Sequence, residues 1–463
     1  MRYFWMALFG LLLIALAVGP RLFLRQTPAD ERLLIISPHW DGIRYEFGRA
    51  FSEHYLNKFG KRIEVVWMDV GGTGEIRKYL DQKFNAAKSE EGVSADLLFG
   101  GGMDMLAKMA RKNYFEPVAL SAAQQQALPA AVNGQELRDQ KNRYHAACLS
   151  SFGFVYNKLV LENARLPAPR TWDDLGCAEF HGWVSCGDPT TSGSLHQAFE
   201  LVLQGQGWER GYTTLTRLLS NVRATNEGGT SIPRDVSLGQ AAVGPCIDFY
   251  ASAPVRRQGA THLQLVIPAG IAVATPDCIA VLRHPPNRTA AFAFVTFVLS
   301  EAGQKLWYLK RGTPGGPIEY DLERLPVMPE IYTRFSQDTW TVTNPFKGVA
   351  DFQYDSKKGG RRWDTLNDLW RAAILDVHED LWNARQAVIR AGRDLDLGYA
   401  LARPPISEQA VNVLAEQALL ADERNALKNQ WTGWARVWFK AITTAALKNG
   451  PVPEFQSAKT SVK

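Results

Sequence analysis

Apolar runs and amphipathic stretches alternate along the first quarter of the chain. Short runs with few polar residues, typical of strands buried on both faces, lie at 32–36, 63–67 and 95–99. The stretches at 43–55 and 76–84 instead place apolar residues every three or four positions, the spacing of a helix with one buried face. This alternation predicts a parallel α/β sheet with right-handed connections.

The pattern beyond residue 140 predicts a second α/β unit inserted into the first. The segment 144–156 is predominantly apolar with two central serines, and it predicts an extended strand that leaves the first unit. A strand, turn and helix follow at 183–203, and another buried strand lies at 241–248. The two runs within 263–282 predict the crossing back to the first unit.

Helices dominate the pattern after residue 282. The strongly apolar stretch 290–307 predicts one helix, and helical spacing recurs over 362–391. Ser407 is a typical N-cap for a further, tryptophan-rich helical segment. We expect these last helices to pack on the second α/β unit, with a docking surface for a partner protein as the alternative. Residues from 456 onward are predicted to be a frayed end.

Glycine and hydroxyl residues follow three of the predicted strands, where the next helix begins. These segments are 70–75, 100–102 and 187–194. Backbone N–H groups at a helix start have no partner within the helix, and the helix dipole places partial positive charge there. Because parallel strands end at one edge of a sheet, these turns predict an anion-binding site. For each turn alone, simple N-capping by a residue such as Ser192 or Ser194 is the alternative.

Composition and charge exclude several classes of protein. With 463 residues, 46% hydrophobic and 21% charged, the chain is globular and long enough for two or three domains. A net charge of +5, without a basic run that includes aromatic residues, does not indicate nucleic-acid binding. The glycine-rich turns lack the P-loop lysine and the dinucleotide spacing, and no nucleophile-elbow motif occurs. We therefore expect no enzyme activity, no cofactor and no metal site.

The first 26 residues predict export from the cytoplasm. Arg2 precedes an apolar stretch over 3–18, as in a secretory signal, but no clear cleavage site follows and the segment nearly reaches membrane-spanning length. Residues 1–26 are thus either a signal peptide or an N-terminal membrane anchor of a periplasmic or other extracytoplasmic protein. Export permits disulfides, so the cysteines are either partly paired, with at least one left over, or plain buried thiols. They are Cys148, Cys177, Cys186, Cys246 and Cys278.

A series of short motifs within residues 33–309 resembles one family. The motifs are Ser37-Pro38-His39-Trp40-Asp41-Gly42-Ile43, Gly71-Gly72-Thr73-Gly74, Ala95-Asp96-Leu97-Leu98-Phe99-Gly100-Gly101-Gly102, Tyr156-Asn157, Thr171-Trp172-Asp173-Asp174-Leu175, Asp188-Pro189 with Ser192-Gly193-Ser194, Gly244 with Ile247-Asp248, and Ala290-Ala291-Phe292 with Phe297-Val298-Leu299-Ser300. In order and spacing they are similar to the extracellular solute-binding proteins of bacterial ABC importers, in the branch for ferric iron, phosphonates and organophosphates.

The resemblance implies an α/β, two-lobed type II periplasmic binding protein fold, in which hinge-crossing strands join two lobes that close on a ligand. It places 30–148 and 271–320 in lobe 1 and 149–270 in lobe 2, and leaves 321–463 as a helical C-terminal region packed on the lobes. The partners it implies are an ABC permease and its ATPase. We expect a monomer that binds no nucleic acid and contacts the membrane only through an uncleaved N-terminal segment.

The family's ligand contacts, transferred to the matching positions, come from strand ends that face the cleft. They are Ser37, His39, Gly72, Thr73, Gly101, Gly102, Ser150, Ser151, Thr191, Ser192, Gly193, Ser194, Asp248 and Tyr250. Ferric-binding members often present adjacent tyrosines, whereas Phe249-Tyr250-Ala251 offers one phenol, which disfavours iron.

The hydroxyl- and glycine-rich strand ends suit a small anionic solute, namely a phosphate ester, phosphonate or carboxylate. Arg44 or Arg77 could add positive charge, or both could be solvated helix residues. Two alternatives to solute delivery are a ferric-iron-binding protein of the same fold and a membrane-tethered ligand sensor or scaffold.

Overall fold

The computed structural model describes residues 28–86, 92–226, 229, 231–258, 262–341, 343–347, 352–417 and 419–460. The predicted signal peptide or anchor, 1–26, lies outside these ranges. Within them, no helix combines the length and the apolar character needed to cross a bilayer.

The described chain forms strands in its first two thirds. They are β1 Glu31–Ile36, β2 Ile63–Met68, β3 Leu97–Gly102, β4 Phe115–Glu116, β5 Ala131–Val132, β6 Gln135–Glu136, β7 His145–Ser150, β8 Phe152–Asn157, β9 Val184–Gly187, β10 Val222–Asn226, β11 Val243–Ile247, β12 Leu263–Val266 and β13 Thr275–Leu282.

Helices lie between these strands and make up most of the remaining third. They are α1 Asp41–Phe59, α2 Thr73–Ala86, α3 Met103–Arg111, α4 Ala122–Ala127, α5 Lys158–Ala164, α6 Gly193–Gln206, α7 Trp208–Ser220, α8 Ile232–Ser237, α9 Asp248–Gln258, α10 Arg288–Val298, α11 Glu301–Tyr308, α12 Pro329–Arg334, α13 Ser356–Trp370, α14 His378–Arg390, α15 Tyr399–Leu401, α16 Glu408–Glu416 and α17 Ala421–Leu447. Two short π-helical segments, Arg371–Leu375 and Asp394–Gly398, follow α13 and α14.

Lobe 1 is built on a sheet with the strand order β2-β1-β3-β13-β4, in which β7 also pairs with β13. β1 is parallel to both β2 and β3, as the alternation of strands and helices predicts. β13 is antiparallel to β3, β4 and β7, so the sheet is mixed. Leu33 and Phe99 of this sheet share one apolar core with Phe47 and Phe51 of α1.

Lobe 2 is built on a second sheet, with the order β10-β9-β11-β8-β12. The segment 144–156 is two strands rather than the single predicted one, because β7 pairs in lobe 1 and β8 pairs in lobe 2. The chain changes sheets at Ser151, whose N–H donates to the Asp248 carboxylate at 2.8 Å instead of to a neighbouring strand. β12 and β13 make the predicted return, so two chain crossings join the lobes.

The prediction of one helix over 290–307 is wrong. The chain forms α10 and α11 with a break at Ser300. The Ser300 hydroxyl caps α11 by accepting from Gly303 N–H at 3.3 Å and also donates to the carbonyl of Phe297 at 2.7 Å. A serine able to satisfy both helix ends allows the break within an otherwise apolar stretch.

We call helices α13 to α17 and the chain after α17 the C-terminal extension. The extension forms ion pairs with both lobes. In α13, the Asp364 carboxylate forms ion pairs with Arg77 and Lys108 of lobe 1. In the same helix, the Arg362 guanidinium lies 2.8 Å from the Glu200 carboxylate of lobe 2. One helix therefore bridges the two lobes through charged side chains, and Arg77 is paired rather than solvated.

The chain after α17 packs on the extension. The ring N–H groups of Trp431 and Trp434 donate to the carbonyl oxygens of Lys459 and Gln456 at 3.0 and 2.6 Å. The prediction of a frayed end is therefore wrong for 456–460. Both tryptophans of α17 hold this segment, and the buried indole N–H of Trp431 in particular requires such an acceptor.

The cysteines are free thiols, which decides between the two expectations for them. Cys148, Cys186, Cys246 and Cys278 are buried, and Cys177 is half-buried. Burial raises the pKa of the Cys148 thiol to about 12 and raises the pKa values of the other four as well. They pack as small apolar residues.

Acid is expected to weaken the contact between lobe 2 and the extension through His196. Its ring stacks on Trp363 with centroids 3.5 Å apart, and Nδ1 lies 2.8 Å from Asn367 Oδ1. Burial lowers the pKa of His196 from 6.5 to about 3. In the unfolded chain, the imidazole of His196 therefore binds a proton near pH 6.5, whereas in the folded chain it stays neutral until the pH is much lower. Stability that is present above pH 6.5 is consequently lost as the pH falls towards 3.

From pH 6.5 to about pH 5 this one group should lower the free energy of unfolding by about 2 kcal/mol. Urea unfolding at both pH values would measure the loss. His196→Phe keeps an aromatic ring on Trp363 but cannot titrate, so its loss should be smaller by that amount. An identical loss in both proteins would contradict the assignment.

Candidate ligand-binding cleft

A cavity of about 900 Å³ lies between the two lobes, at the carboxyl ends of their parallel strands. Helices α1, α2 and α3 of lobe 1 begin at its wall, and α6 and α9 of lobe 2 begin opposite them. Ligands of open α/β sheets are expected at such an edge. The two lobes thus direct five helix N-termini towards one cleft.

Most of the residues predicted from the resemblance line this cleft. They are His39, Gly72, Thr73, Gly101, Gly102, Ser150, Thr191, Ser192, Gly193, Ser194 and Tyr250. Ser192 is also the N-cap of α6, since its hydroxyl accepts from Leu195 N–H at 3.4 Å. Ser192 therefore both caps α6 and lines the cleft.

Three predicted residues, Ser37, Ser151 and Asp248, do not line the cavity. The Ser37 hydroxyl accepts from His39 N–H at 3.1 Å. The Asp248 carboxylate accepts from the N–H groups of Ser151 and Phe249 at 2.8 and 2.7 Å. Burial raises the pKa of Asp248 to about 6 despite these two donors. All three residues fix the backbone at the cleft wall.

Several buried polar atoms at the cleft wall have no protein partner in the described part of the chain. They are the hydroxyl oxygens of Thr73 and Ser150, His39 Nδ1, Gln197 Nε2, and the Nε atoms of Arg44 and Arg324. An unsatisfied buried polar group costs about 1–3 kcal/mol, so proteins retain few of them without a reason. Six such atoms around one cavity have unused hydrogen-bonding capacity.

Sequence reasoning missed a buried charge cluster at the back of the cleft. Arg324, with 3% of its surface exposed, forms an ion pair with Asp277, and His39 Nε2 lies 3.0 Å from the same carboxylate. The guanidinium also lies 3.8 Å from the ring centroid of Phe249 in lobe 2. Burial alone would raise the pKa of Asp277, but Arg324 and His39 hold it well below its ordinary value.

The signals for this cluster are weak in the sequence. Asp277 is a single carboxylate in an apolar strand, and Arg324 lies beyond the stretch 33–309 that resembles the family. The backbone N–H of Gly101 donates to Asp277 at 2.5 Å, in a conformation with φ of 112° that favours glycine. This position of the cleft wall therefore favours glycine because of its backbone conformation as well as its small size.

Acidic side chains surround the mouth of the cleft. Besides Asp277 at the back, the carboxylates that line the cleft are Asp41, Asp69, Glu75 and Asp188, and Arg44 is the guanidinium group near them. Asp41 and Asp69 are 95% and 70% exposed and lie 3.9 and 3.5 Å from Arg44. Asp188 is paired with Arg371 of the extension. The mouth is thus rich in acceptors, whereas the hydroxyl and helix-terminal donors lie deeper.

The lobes touch across the cleft at Gly193. A Cβ atom added there would overlap Thr73 Oγ1 of lobe 1 and lie 3.1 Å from Thr73 Cβ. Similarly, a Cβ atom at Gly72 would lie 3.1 Å from the carbonyl oxygen of Thr191. The two glycine-containing turns approach closely because they lack side chains at these positions.

Comparison with known proteins identifies a common family. A family model described as "Bacterial extracellular solute-binding protein" matches residues 93–327, just over half of the chain. The phosphoglycerate transport regulatory protein PgtC of Salmonella typhimurium is 27% identical over 178 residues, and PgtC of Salmonella typhi matches equally. These residues are 38% of this chain and 44% of the relative, so the match spans less than half of the relatives' length.

Solved structures share the fold. The periplasmic binding protein P5PA superposes with a TM-score of 0.60 and 20% identity, covering 74% of this chain and 99% of its own. AfuA from Actinobacillus pleuropneumoniae, with fructose-6-phosphate bound, gives 0.57 and 18%, covering 78% and 98%. The apo ferric ion-binding protein A of Pasteurella haemolytica gives 0.54 and 13%, covering 73% and 96%. The predicted two-lobed type II periplasmic binding fold with a helical C-terminal region is confirmed.

Proposed function

Since this chain belongs to the bacterial extracellular solute-binding proteins, we propose that it captures a small anionic solute between its lobes and delivers it to an ABC importer. The observation that carries the proposal is the convergence of five helix N-termini and unpartnered hydroxyl groups on one cleft. The family description places such proteins outside the cytoplasm, and we propose that residues 1–26 direct export or anchor the chain.

The donors at the helix N-termini support an anionic group in the ligand. The turns before α2 and α6 meet across the cleft at Thr73 and Gly193, so an anion beside this contact would receive backbone N–H donors from both lobes. The hydroxyl groups of Thr73 and Ser150 add side-chain donors, and Arg44 and Arg324 supply positive charge. Contacts from both lobes would favour the closed arrangement when the solute is bound.

The carboxylates at the mouth support hydroxyl groups on the same ligand. Carboxylates accept hydrogen bonds from hydroxyl groups and repel a bare anion. Asp41, Asp69 and Glu75 thus suit the hydroxylated part of a molecule whose anionic end lies deeper. A phosphorylated sugar or a hydroxylated phosphate ester has both features. The names of PgtC and of AfuA with fructose-6-phosphate point to the same chemical class.

Ferric iron fits the cleft less well. Iron in this fold class would need phenolate or several carboxylate oxygens free to coordinate it. Tyr250 contributes one phenol, and burial raises the pKa of that phenol, which disfavours phenolate. Asp277 and Asp188 are already paired with Arg324 and Arg371.

A thermal-shift screen of the purified protein tests the proposal. One panel contains fructose-6-phosphate, 3-phosphoglycerate, a phosphonate and a dicarboxylate, and the other contains fructose, glycerate, inorganic phosphate and ferric citrate. A ligand at a hundredfold its Kd should add about 2.7 kcal/mol of stability. We expect stabilisation from a phosphorylated, hydroxylated compound and none from its dephosphorylated form. Stabilisation by ferric citrate alone, or by fructose as strongly as by its phosphate, would contradict the proposal.

The extension gives a specific reason to consider a second function, that of a ligand sensor. Arg371 pairs with the Asp188 carboxylate and the Thr190 hydroxyl, in the turn that begins α6 at the cleft. An outer helix in contact with the binding turn could report occupancy to a partner, and PgtC is named a transport regulatory protein. Uptake of the identified solute in cells lacking this protein separates the two functions, because uptake persists without a sensor and stops without a delivery protein.

The same proposal includes the division of the chain into parts. We propose that 30–148 and 271–320 form lobe 1, that 149–270 form lobe 2, and that 321–463 form the C-terminal region. An ABC permease and its ATPase are the proposed partners of the monomer.

A further inference from the structure

A second cavity, of about 890 Å³, lies where lobe 1 meets the C-terminal extension. Its walls are the end of α3 from lobe 1 and helices α13, α16 and α17. It shares no lining residue with the cleft between the lobes. Its volume is that of a site for a small organic molecule.

Positive charge exceeds negative charge in this junction cavity. The cations that line it are Lys108, Arg111, Lys112, Lys357, Arg361 and Arg424, and the carboxylates are Asp364, Asp368 and Glu416. Each carboxylate is already paired: Asp364 with Arg77 and Lys108, Asp368 with Arg424 at 2.5 Å, and Glu416 with Arg361 at 3.3 Å. Lys112 is paired with Asp81, outside the cavity, at 2.6 Å, so two of the six cations are left uncompensated.

The two uncompensated cations of the cavity lining are Arg111 and Lys357. Within the described ranges, no carboxylate oxygen lies within 4.0 Å of either side chain. Arg111 lies in the last turn of α3 and Lys357 in the first turn of α13, so the two residues come from the two bodies that form the cavity. An anion in the cavity is attracted by Arg111 from lobe 1 and by Lys357 from the extension.

The remaining lining residues include Thr365, Gln417 and several apolar side chains, of which Leu414, Leu427 and Trp431 are largely buried. Leu414 of α16 and Leu427 and Trp431 of α17 line the cavity, and Leu419 joins them from the connecting turn. An occupant that satisfies both parts of the wall carries an anionic group at one end and a hydrocarbon portion at the other.

We propose that the junction cavity binds an anionic amphiphile, with its phosphate or carboxylate group attracted by the uncompensated charges of Arg111 and Lys357 and its apolar portion against Leu419 and the exposed edges of Leu414 and Trp431. Asp364, in the same wall, is bonded to Arg77 and Lys108, which belong to the two helices that begin at the glycine-rich turns of the cleft. The occupant therefore contacts α3 directly and is linked to α2 through the Asp364–Arg77 pair. This proposal does not depend on which solute the cleft binds.

Titration calorimetry of the full-length protein with octyl phosphate, below its micelle concentration, tests the site. We expect octyl phosphate to bind. Uncharged octyl glucoside and inorganic phosphate should bind at least about tenfold more weakly, because the first lacks the anionic group and the second lacks the alkyl chain. Arg111→Ala combined with Lys357→Ala should weaken octyl phosphate about tenfold or more. Lys440→Ala combined with Lys448→Ala, two exposed lysines of α17 and its end, is the matched control and should leave the affinity unchanged.

Equal affinity for octyl phosphate in both double variants would overturn the proposal, as would equal binding of octyl glucoside or no binding at all. Gly193→Val, a change in the cleft, should leave octyl phosphate binding intact, and loss of binding in that variant would place the amphiphile in the cleft instead. Sedimentation of the protein with phosphatidylglycerol vesicles distinguishes a membrane lipid from a soluble amphiphile. Sedimentation that depends on Arg111 and Lys357 would identify the occupant as a lipid. Binding of octyl phosphate without sedimentation would identify it as a soluble amphiphile.

Discussion

Gly193→Val is expected to reduce the affinity for the captured solute by about a hundredfold or more while the protein stays folded. Gly193 is the first residue of α6, and its position has room for no Cβ atom because Thr73 of the opposite lobe lies there. A valine would hold the two turns apart, and the donors on the two lobes could not contact one anion together. Calorimetric titration with whichever compound stabilises the native protein measures the loss.

Gly433→Val is the matched control, because a Cβ at Gly433 in α17 meets no atom within 4 Å. It should bind the solute as the native protein does, although valine is a poorer helix former than alanine. Circular dichroism of both variants should match that of the native protein. If Gly193→Val bound the solute as tightly as Gly433→Val, close approach of the two turns would not be part of capture.

The largest loss of stability is expected from Arg362→Met. Arg362 and Glu200 are both fully buried, and the guanidinium also contacts Glu408 at 2.7 Å. Removing one partner leaves the Glu200 carboxylate buried without its cation, which typically costs about 3–5 kcal/mol. The entropy of unfolding of a chain of this length corresponds to about 1 °C per kcal/mol, so the midpoint of thermal unfolding should fall by about 3–5 °C. Scanning calorimetry measures this shift.

Arg436→Met provides the comparison for the same substitution at the surface. Arg436 is 62% exposed and lies 3.7 Å from Asp380, so its loss should change stability by less than about 1 kcal/mol. Glu200→Met combined with Arg362→Met should be less harmful than Arg362→Met alone, because no unpaired charge stays buried. Equal midpoints for Arg362→Met and Arg436→Met would show that the buried pair does not join lobe 2 to the extension.

The spacing of apolar residues was enough to predict the strands and helices whose positions depend on nearby residues alone. The first three strands and their helices were predicted because apolar spacing distinguishes them directly, and the N-caps Ser192 and Ser407 are confirmed. The breaks at Ser151 and Ser300 were missed. Both serines lie within apolar stretches, and each break depends on a bond that the spacing does not reveal.

The cleft could be predicted in part for a related reason. Residues at strand ends, such as Thr73 and Gly193, can be located from the strand–turn–helix pattern, and the structure brings them together at the cavity wall. Arg324 and Arg371 reach the cleft or its turn from the chain after β13. Their positions depend on how that chain packs on the lobes, which no periodicity encodes.

The bridge made by α13 also bears on how quickly solute can enter and leave. Opening the cleft requires lobe 1 and lobe 2 to move relative to each other, but Asp364 holds α13 to lobe 1 while Arg362 holds it to lobe 2. Any opening that separates them must first break the pairs of Asp364 with Arg77 and Lys108, because the Arg362 pair is fully buried. Those half-buried pairs add an activation barrier to opening. The association and dissociation rates of the solute should therefore both be slow, and higher salt should quicken dissociation by screening the pairs of Asp364.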